Sequence, residues 1–301
     1  LYCGAKIDFV DIEPDTYNIS VNKLELKLKK AEREQRLPKI LVAVHMCGQS
    51  CDMQAIHKLS LKYKFKIIED ASHAMGGRYL DQDVGNCHFS DAAIFSMHPV
   101  KIITSGEGGI LTSKHQTVEQ QARLFRSHGI TRDTECFDNQ KVVIPPWYYE
   151  QIKLGYNYRL TDLQAALACS QLTRLDSFVE KRNELATRYN DFFANYEYIR
   201  TPEVDRKCFS SFHLYVIQIP FADLQAKVEM FKFFKSRGIN LNVHYIPLHL
   251  QPFFQNRFGF KYGDFPTAEK YYEMAVTLPL YPSMLEQEFV QVLDVFKEFS
   301  S

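Results

Sequence analysis

Residues 95–109 read FSMHPVKIITSGEGG, a polar turn holding Lys101 between two apolar runs. The flanks, DAAIFSM (91–97) and GGILTS (108–113), carry the short apolar pattern of strands. Working back from the turn, FKIIED (65–70) and KILVAVH (39–45) read as two more strands. The second is a continuous apolar run, as expected for a strand covered on both faces. KIDFVDI (6–12) alternates apolar and polar residues and reads as a further strand. Two helical patterns lie between. Asn22 to Arg36 sets Leu24, Leu28 and Ala31 on one face and closes before Pro38. Asp52 caps the other, which carries Met53, Ile56, Leu59 and Tyr63 at helical spacing. Strand, helix, strand, helix, strand is the order of a parallel α/β sheet.

Forward of the turn, a helix is predicted over 117–127. A long functional loop covers 131–155, which holds few periodic signals and includes Pro145 and Pro146. Residues 161–193 carry helical periodicity throughout, opened by a capping box of Thr161 and Gln164. A helix of that length bridges two domains. Beyond it come a strand (211–219), a helix from Asp223 to Arg237 stopped by Gly238, and a terminal helix from Glu286 to Phe299. The expected division is a large domain over 1–160 and, over 161–301, the bridging helix with a smaller α+β domain.

The chain has 301 residues, with 36 basic against 36 acidic side chains. That balance argues against a general nucleic-acid or membrane-surface binder, which would carry a strong basic excess. No apolar run reaches the length of a membrane span. Seven cysteines at irregular spacing do not suggest a disulfide framework, so a reducing, cytoplasmic setting is expected. The opening, LYCGAKIDFVDIEP, reads as the middle of a domain.

In a parallel α/β sheet, ligands collect at the carboxyl ends of the strands. Here those ends carry HMCGQ (45–49), Asp70 followed by ASHAMGG, and HPVK (98–101). An Asp, a His and a Lys can therefore converge. Pyridoxal phosphate needs such a set: an amine to condense with its aldehyde, a carboxylate to face the pyridine nitrogen, and hydroxyls or amides to hold the phosphate. Lys101, Asp70 and Ser96 are of the right types. The plain alternatives are an Asp that forms a turn or caps a helix, and a solvated Lys in a hairpin. His45, Cys47 and Cys51 form a compact group, but without a second cluster they read as buried or loop residues, and no metal site is expected.

EDASHAMGG, FSMHPVK, SGEGG, LGYNYRLTDLQAAL and VHYIPLH occur in this order. In this they resemble the DegT-type nucleotide-sugar aminotransferases, fold-type-I pyridoxal phosphate enzymes. The resemblance runs through the whole chain. It implies that Lys101 bonds the cofactor and Asp70 pairs with its ring nitrogen. His73 would lie against the ring or its 3-oxygen, and Ser96 would bind the phosphate. Asn157 would reach a partner's phosphate across a homodimer interface. Asn242, Val243, His244 and Tyr245 would help hold a UDP-linked keto sugar. The HPVK run is most similar to members that use L-glutamate to aminate carbon 4 of such a sugar in pseudaminic acid biosynthesis. Members of the family carry a further N-terminal segment that helps bind the cofactor, so the large domain is expected to be incomplete, with apolar surface exposed. Met97 stands where many members have an aromatic residue.

Overall fold

The computed structural model describes residues 1–139 and 143–300. The first half holds helix α1 (Val21–Arg33), strand β1 (Ile40–Val44), α2 (Met53–Tyr63) and β2 (Lys66–Asp70). Two short strands follow, β3 (Arg78–Tyr79) and β4 (Gln82–Asp83), then β5 (Ala92–Ser96), β6 (Gly109–Thr112) and α3 (Gln116–Arg126). The main sheet has the order β1-β2-β5-β6. Its first three strands are parallel, with Val44 beside Asp70 and Asp70 beside Ile94. β6 turns back antiparallel on β5, pairing Ser96 with Gly109. The 97–108 connection holds no helix to cross the sheet, and β6 returns beside β5 in the antiparallel sense.

The side-chain period of two splits this sheet cleanly. Ala43, Ile67, Ala93 and Phe95 point to one face and are buried. Leu24, Leu28, Met53, Ile56 and Tyr63 from α1 and α2 pack into a cluster with Ala43 and Ile67. On the opposite face Ile40, Val42 and Val44 are 54%, 51% and 45% exposed. The expectation that 39–45 is covered on both faces is therefore corrected: helices cover one face only. Asp70 and Ser96 share the open face with Val44 and Ile94, by alternation along β2 and β5.

The segment 6–12 is extended but forms no strand; Ile12 makes a single bridge to Ile19. Its acidic side chains take over backbone bonding. Asp8 Oδ1 accepts from the Phe9 amide and Asp11 Oδ1 from the Ile12 amide, 2.8 and 2.9 Å. Asp11 also accepts from the amides of Thr267 and Ala268. These open a later helix, whose positive end favours a carboxylate. Phe9 meets Phe254, Phe260 and Phe265. The alternation thus reflects a side-on docking of the segment against the second half of the chain.

The predicted 131–155 loop holds only β7 (Ile130–Thr131), a 3-10 turn at Thr134–Cys136 and β8 (Glu150–Gln151), with 140–142 outside the described residues. The capping box forms as expected, Thr161 and Gln164 bonding reciprocally. The single long helix does not. It divides into α4 (Asp162–Leu172) and α5 (Leu175–Phe193). Thr173 Oγ1 donates to the Ser170 carbonyl at 2.9 Å, an i−3 bond that competes with the helical ladder at the break. The two parts differ in burial. α4 buries no residue, whereas α5 buries Val179, Leu185, Ala186, Tyr189 and Phe193.

β9 (Cys208–Phe209) pairs with β3. Then come β10 (Tyr215–Gln218), α6 (Leu224–Ser236), α7 (Pro252–Phe258), α8 (Pro266–Met274), β11 (Ala275–Leu278) and α9 (Glu286–Ser300). β10 and β11 pair antiparallel. Tyr189, Phe193, Tyr215, Ile217, Phe234, Val276, Phe289 and Phe296 close a separate aromatic core around them. Each such side chain contributes about 1.5–3 kcal/mol on burial, which makes this the best-consolidated part of the molecule.

Candidate active site

β2 ends at Asp70, and its carboxylate stops the strand. Oδ1 accepts from the Ser72 amide at 3.1 Å and the Ser72 hydroxyl at 2.5 Å, forming an Asx turn. Oδ2 has no hydrogen-bond donor among the described residues. β5 ends at Ser96, whose Oγ accepts from the His98 amide at 3.3 Å. The turn carrying Lys101 is pinned at its base. Met97 is buried; its amide donates to Gly108 O, and its carbonyl accepts from the Ser105 amide and Thr104 Oγ1. Ile102 and Ile103 bury beneath the turn with Met97 and Val179. Met97 fills that cluster as a flexible apolar residue can. Anchored on both sides, Lys101 presents an amine with no hydrogen bond or ion pair among the described residues.

The surrounding charges identify what it faces. Burial lowers the Lys101 pKa, and the Asp70 carboxylate pulls it part of the way back. The Lys101 charge in turn reaches His73, His213 and His244. His73 is pushed down to about 3, first by burial and then by Lys101. His213 is pushed down to about 2, by burial, then His73, Lys101, Arg182 and His244. His244 also lies below its ordinary value, through burial and Lys101. One amine, one carboxylate and three imidazoles whose protonation is disfavoured thus share the region at the ends of β2 and β5.

The 242–245 segment reaches this region from the second half of the chain. The Tyr245 hydroxyl lies 3.2 Å from His73 Nε2. His244 Nδ1 lies 2.8 Å from Thr277 Oγ1, and the His244 carbonyl accepts from the Tyr271 hydroxyl at 2.7 Å. Asn242 Nδ2 is 3.4 Å from His244 Nε2, and Val243 packs partly buried against Tyr271 and its neighbours. Asn157 stands apart from this group. It is exposed and bridges to Ser127 through its backbone. Around it Trp147, Tyr149, Tyr156, Tyr158 and Leu163 are also exposed, Leu163 by 86%.

Two residues here had no signal in the sequence reading. The His213 ring packs against that of His73, centroids 4.4 Å apart and planes tilted by 45°. Arg182 of α5 is buried and donates from Nη1 to the carbonyls of Phe212, His213 and Leu280, at 3.1, 3.2 and 2.9 Å. In the sequence, Arg182 lies among charged helical residues, and His213 falls inside the predicted 211–219 strand as a histidine with no inferable partner. His45 is bound elsewhere: Nδ1 accepts from the Cys51 amide and Nε2 bonds Glu69 at 2.7 Å. Glu69 also accepts from Ser90. Cys47 and Cys51 are buried free thiols.

The buried imidazoles make stability depend on pH. The unfolded chain protonates both His73 and His213 near 6.5, whereas the folded chain holds them neutral. Between those values the unfolded state binds more protons, so acid favours it. Stability should fall as pH drops from about 6.5 toward 3, by up to about 1.4 kcal/mol per pH unit for each ring. Glu69 acts in the same direction. Burial raises its carboxyl, but the bonds and charge of His45 outweigh this and hold it below 4.5. Its stabilisation is therefore present above the unfolded value and is lost as pH falls through the folded one. Urea midpoints measured across this range check the slope; a midpoint that does not move contradicts it.

The DegT/DnrJ/EryC1/StrS aminotransferase family model matches residues 1–297. A UDP-4-amino-4,6-dideoxy-N-acetyl-beta-L-altrosamine transaminase of Campylobacter jejuni is 35% identical over 284 residues, covering 94% of this chain and 70% of the relative. The solved Helicobacter pylori PseC, an aminotransferase of pseudoaminic acid biosynthesis, superposes with a TM-score of 0.87 at 28% identity, over 99% of this chain and 75% of that one. A sugar aminotransferase of Streptococcus pneumoniae in its PMP-form gives a TM-score of 0.88 at 27% identity, over 99% and 77%; it has also been solved in a PLP-form. The chain belongs to the DegT/DnrJ/EryC1/StrS aminotransferase family. It is a sugar aminotransferase with the α/β fold of that family, and its cofactor is pyridoxal phosphate. No helix among the described residues is long and apolar enough to cross a membrane.

The residues fit the cofactor. Lys101 has an unpartnered amine and Asp70 an unpartnered carboxylate oxygen. Nδ1 of His73 is a buried orphan on the side of the ring away from Tyr245.

Proposed function

We propose that this enzyme moves the amino group of L-glutamate to carbon 4 of a UDP-linked 4-keto-6-deoxy-N-acetylhexosamine, a step toward pseudaminic acid. The observation that carries the site assignment is the unpartnered, partly buried Lys101 amine within reach of the Asp70 charge. The sugar rests on the Campylobacter jejuni relative, which bears that transaminase name over 94% of this chain.

In this reading, Lys101 holds the cofactor covalently and Asp70 faces its ring nitrogen. His73 lies against the ring or its 3-oxygen, and Ser96 takes the phosphate. Bound pyridoxal phosphate supplies an aldehyde for the amine and a ring that withdraws electrons. The chain supplies the rest. Burial favours the neutral form of the Lys101 amine, so Nζ can take a proton from the donor carbon and return it as general base and acid. The Asp70 carboxylate oxygen that makes no hydrogen bond among the described residues is the one that would face the ring nitrogen. The ring of His73 and the Tyr245 hydroxyl beside it line the site in this reading, and Asn242, Val243, His244 and Tyr245 would help hold the sugar nucleotide.

The working unit in this proposal is a homodimer, with Asn157 reaching the partner's phosphate. Its exposure, and that of the aromatic strap and α4 around it, supports a surface made to meet a second copy. The division into a large domain over 1–160 and a smaller part over 161–301 belongs to the same proposal and is supported by their separate cores.

The test is an assay of the enzyme with glutamate and a panel of UDP-linked 4-keto sugars, following 2-oxoglutarate. The altrosamine-forming substrate should give the highest kcat/KM. Turnover of another 4-keto sugar alone would move the enzyme to a different sugar within the family. No turnover with any keto sugar would sink the reading.

A further inference from the structure

His213 makes no contribution to the chemistry assigned above, yet it occupies a place that an aliphatic side chain would fill more easily. It is 6% exposed, and its Nδ1 is buried without a partner. An orphaned polar atom disfavours the folded state, so its retention calls for a reason. The backbone around it is tied down from every side. The Ser211 hydroxyl donates to the His73 carbonyl at 2.9 Å, and the Ser211 amide to Gly48 O at 3.1 Å. The Leu214 amide donates to Cys47 O, and Arg182 holds the Phe212 and His213 carbonyls. Gly48 permits this approach: a Cβ there would lie 2.7 Å from Ser211 Oγ and 2.8 Å from the Phe212 amide nitrogen. All of these ties deliver one ring to one place, the face of His73.

We propose that His213 is a positioning residue of the reacting centre: its imidazole backs His73, sets the plane of that ring and closes it to water from behind. This deepens the reading of the site given above and rests on it for the role of His73. Tyr245 meets Nε2 and Ser211 holds the His73 backbone, and the His213 ring packed against its face adds the restraint on its tilt. The charged and titratable groups facing His73 are Asp70 at the end of β2, Lys101 in the 97–108 turn, His244 and Tyr245 from the crossing segment, and His213 with Arg182 behind it. Only Asp70 in this set is acidic. A water-exposed His73 would gain a proton from solution and bond to the Asp70 charge. A dry, neutral His73 leaves that charge to the cofactor ring.

The experiment follows the His73 imidazole by NMR from pH 4 to 8 in cofactor-free wild type, His213→Phe and His213→Ala. Wild type and H213F, which keeps a ring behind His73, should show no His73 titration above pH 5. H213A should show a midpoint that moves up toward 6.5, the ordinary value. In the loaded enzyme, H213A should lose about tenfold or more in kcat, with KM for glutamate unchanged, and should gain an acid limb absent from H213F. A wild-type His73 that titrates near 6.5 overturns the proposal. So does an H213A variant that matches wild type in both the titration and the pH profile. Should H213A melt before measurement, wild type and H213F decide alone, since a His73 that titrates normally in H213F shows that backing by a ring is not what holds it. The NMR arm contains neither cofactor nor sugar. A restrained His73 in an enzyme that aminates no keto sugar counts against the proposed substrate and leaves the role of His213 standing.

Discussion

Lys101→Ala is expected to abolish transamination, with kcat down by roughly 10³-fold or more, because in the proposed site one amine serves as both nucleophile and proton carrier. The visible absorbance that the enzyme gains on binding its cofactor should shift or vanish as well. Two features make this a clean test. The Lys101 amine has no hydrogen bond or ion pair among the described residues, so its loss should leave the melting temperature nearly unchanged. The turn itself is held by Met97, Ile102 and Ile103, all buried, and by the Thr104 and Ser105 bonds to the Met97 carbonyl. Lys101→Arg separates charge from chemistry. A guanidinium keeps the positive charge but stays protonated at any working pH, so that variant should be as inactive as alanine. A Lys101→Ala enzyme with normal turnover would remove the centre of the proposed site.

Asp70→Asn is expected to lower kcat by about 10²-fold, the scale of losing one preorganised charge at a reacting centre. The change is nearly isosteric. An amide oxygen can still accept from the Ser72 amide and hydroxyl, so the turn after β2 should persist. What disappears is the carboxylate that, in the proposed site, would keep the cofactor ring nitrogen protonated. A second effect has a definite sign. Asp70 raises the Lys101 pKa against burial, so its removal should lower that pKa further. If the free amine is the active form, the acid limb of the pH–rate profile moves to lower pH while the plateau falls. Measured kcat and pH profiles of wild type and D70N check both parts. A plateau equal to wild type would count against the pairing of Asp70 with the ring.

The parts of the fold that were legible in the sequence are those set by local pattern. The strands at 40–44, 66–70, 92–96 and 109–112 lie where apolar runs met turn residues. Asp70 and Ser96 fall at strand ends because short polar side chains there satisfy the backbone that the ladder leaves behind. The capping box at Thr161 was equally readable, being written in four consecutive residues. The failures have a common cause. Alternation at 6–12 looked like a strand, but a strand needs a partner, and the Asp8 and Asp11 carboxylates bond the backbone instead. Periodicity through 161–193 looked like one helix, but the break at Thr173 separates a half that buries nothing from a half that faces the aromatic core. The apolar run at 40–44 announced burial on both faces, whereas burial depends on what packs there, and only α1 and α2 do.

By itself, the amino-acid order determined that an amine, a carboxylate and a hydroxyl stand at the ends of neighbouring strands, since a period of two and a turn residue suffice to place them. Only the tertiary structure decided the company they keep. Ser211 meets the backbone of His73 across 138 positions and Tyr245 meets its ring across 172; no local pattern reports on either. The packing of His213 on His73, the buried Arg182 and the lowered pKa of the imidazoles follow from exclusion of water by segments far apart in the chain. Desolvation is a property of the packed whole, and that is why the residue types at the strand ends could be read from the sequence while their electrostatics could not.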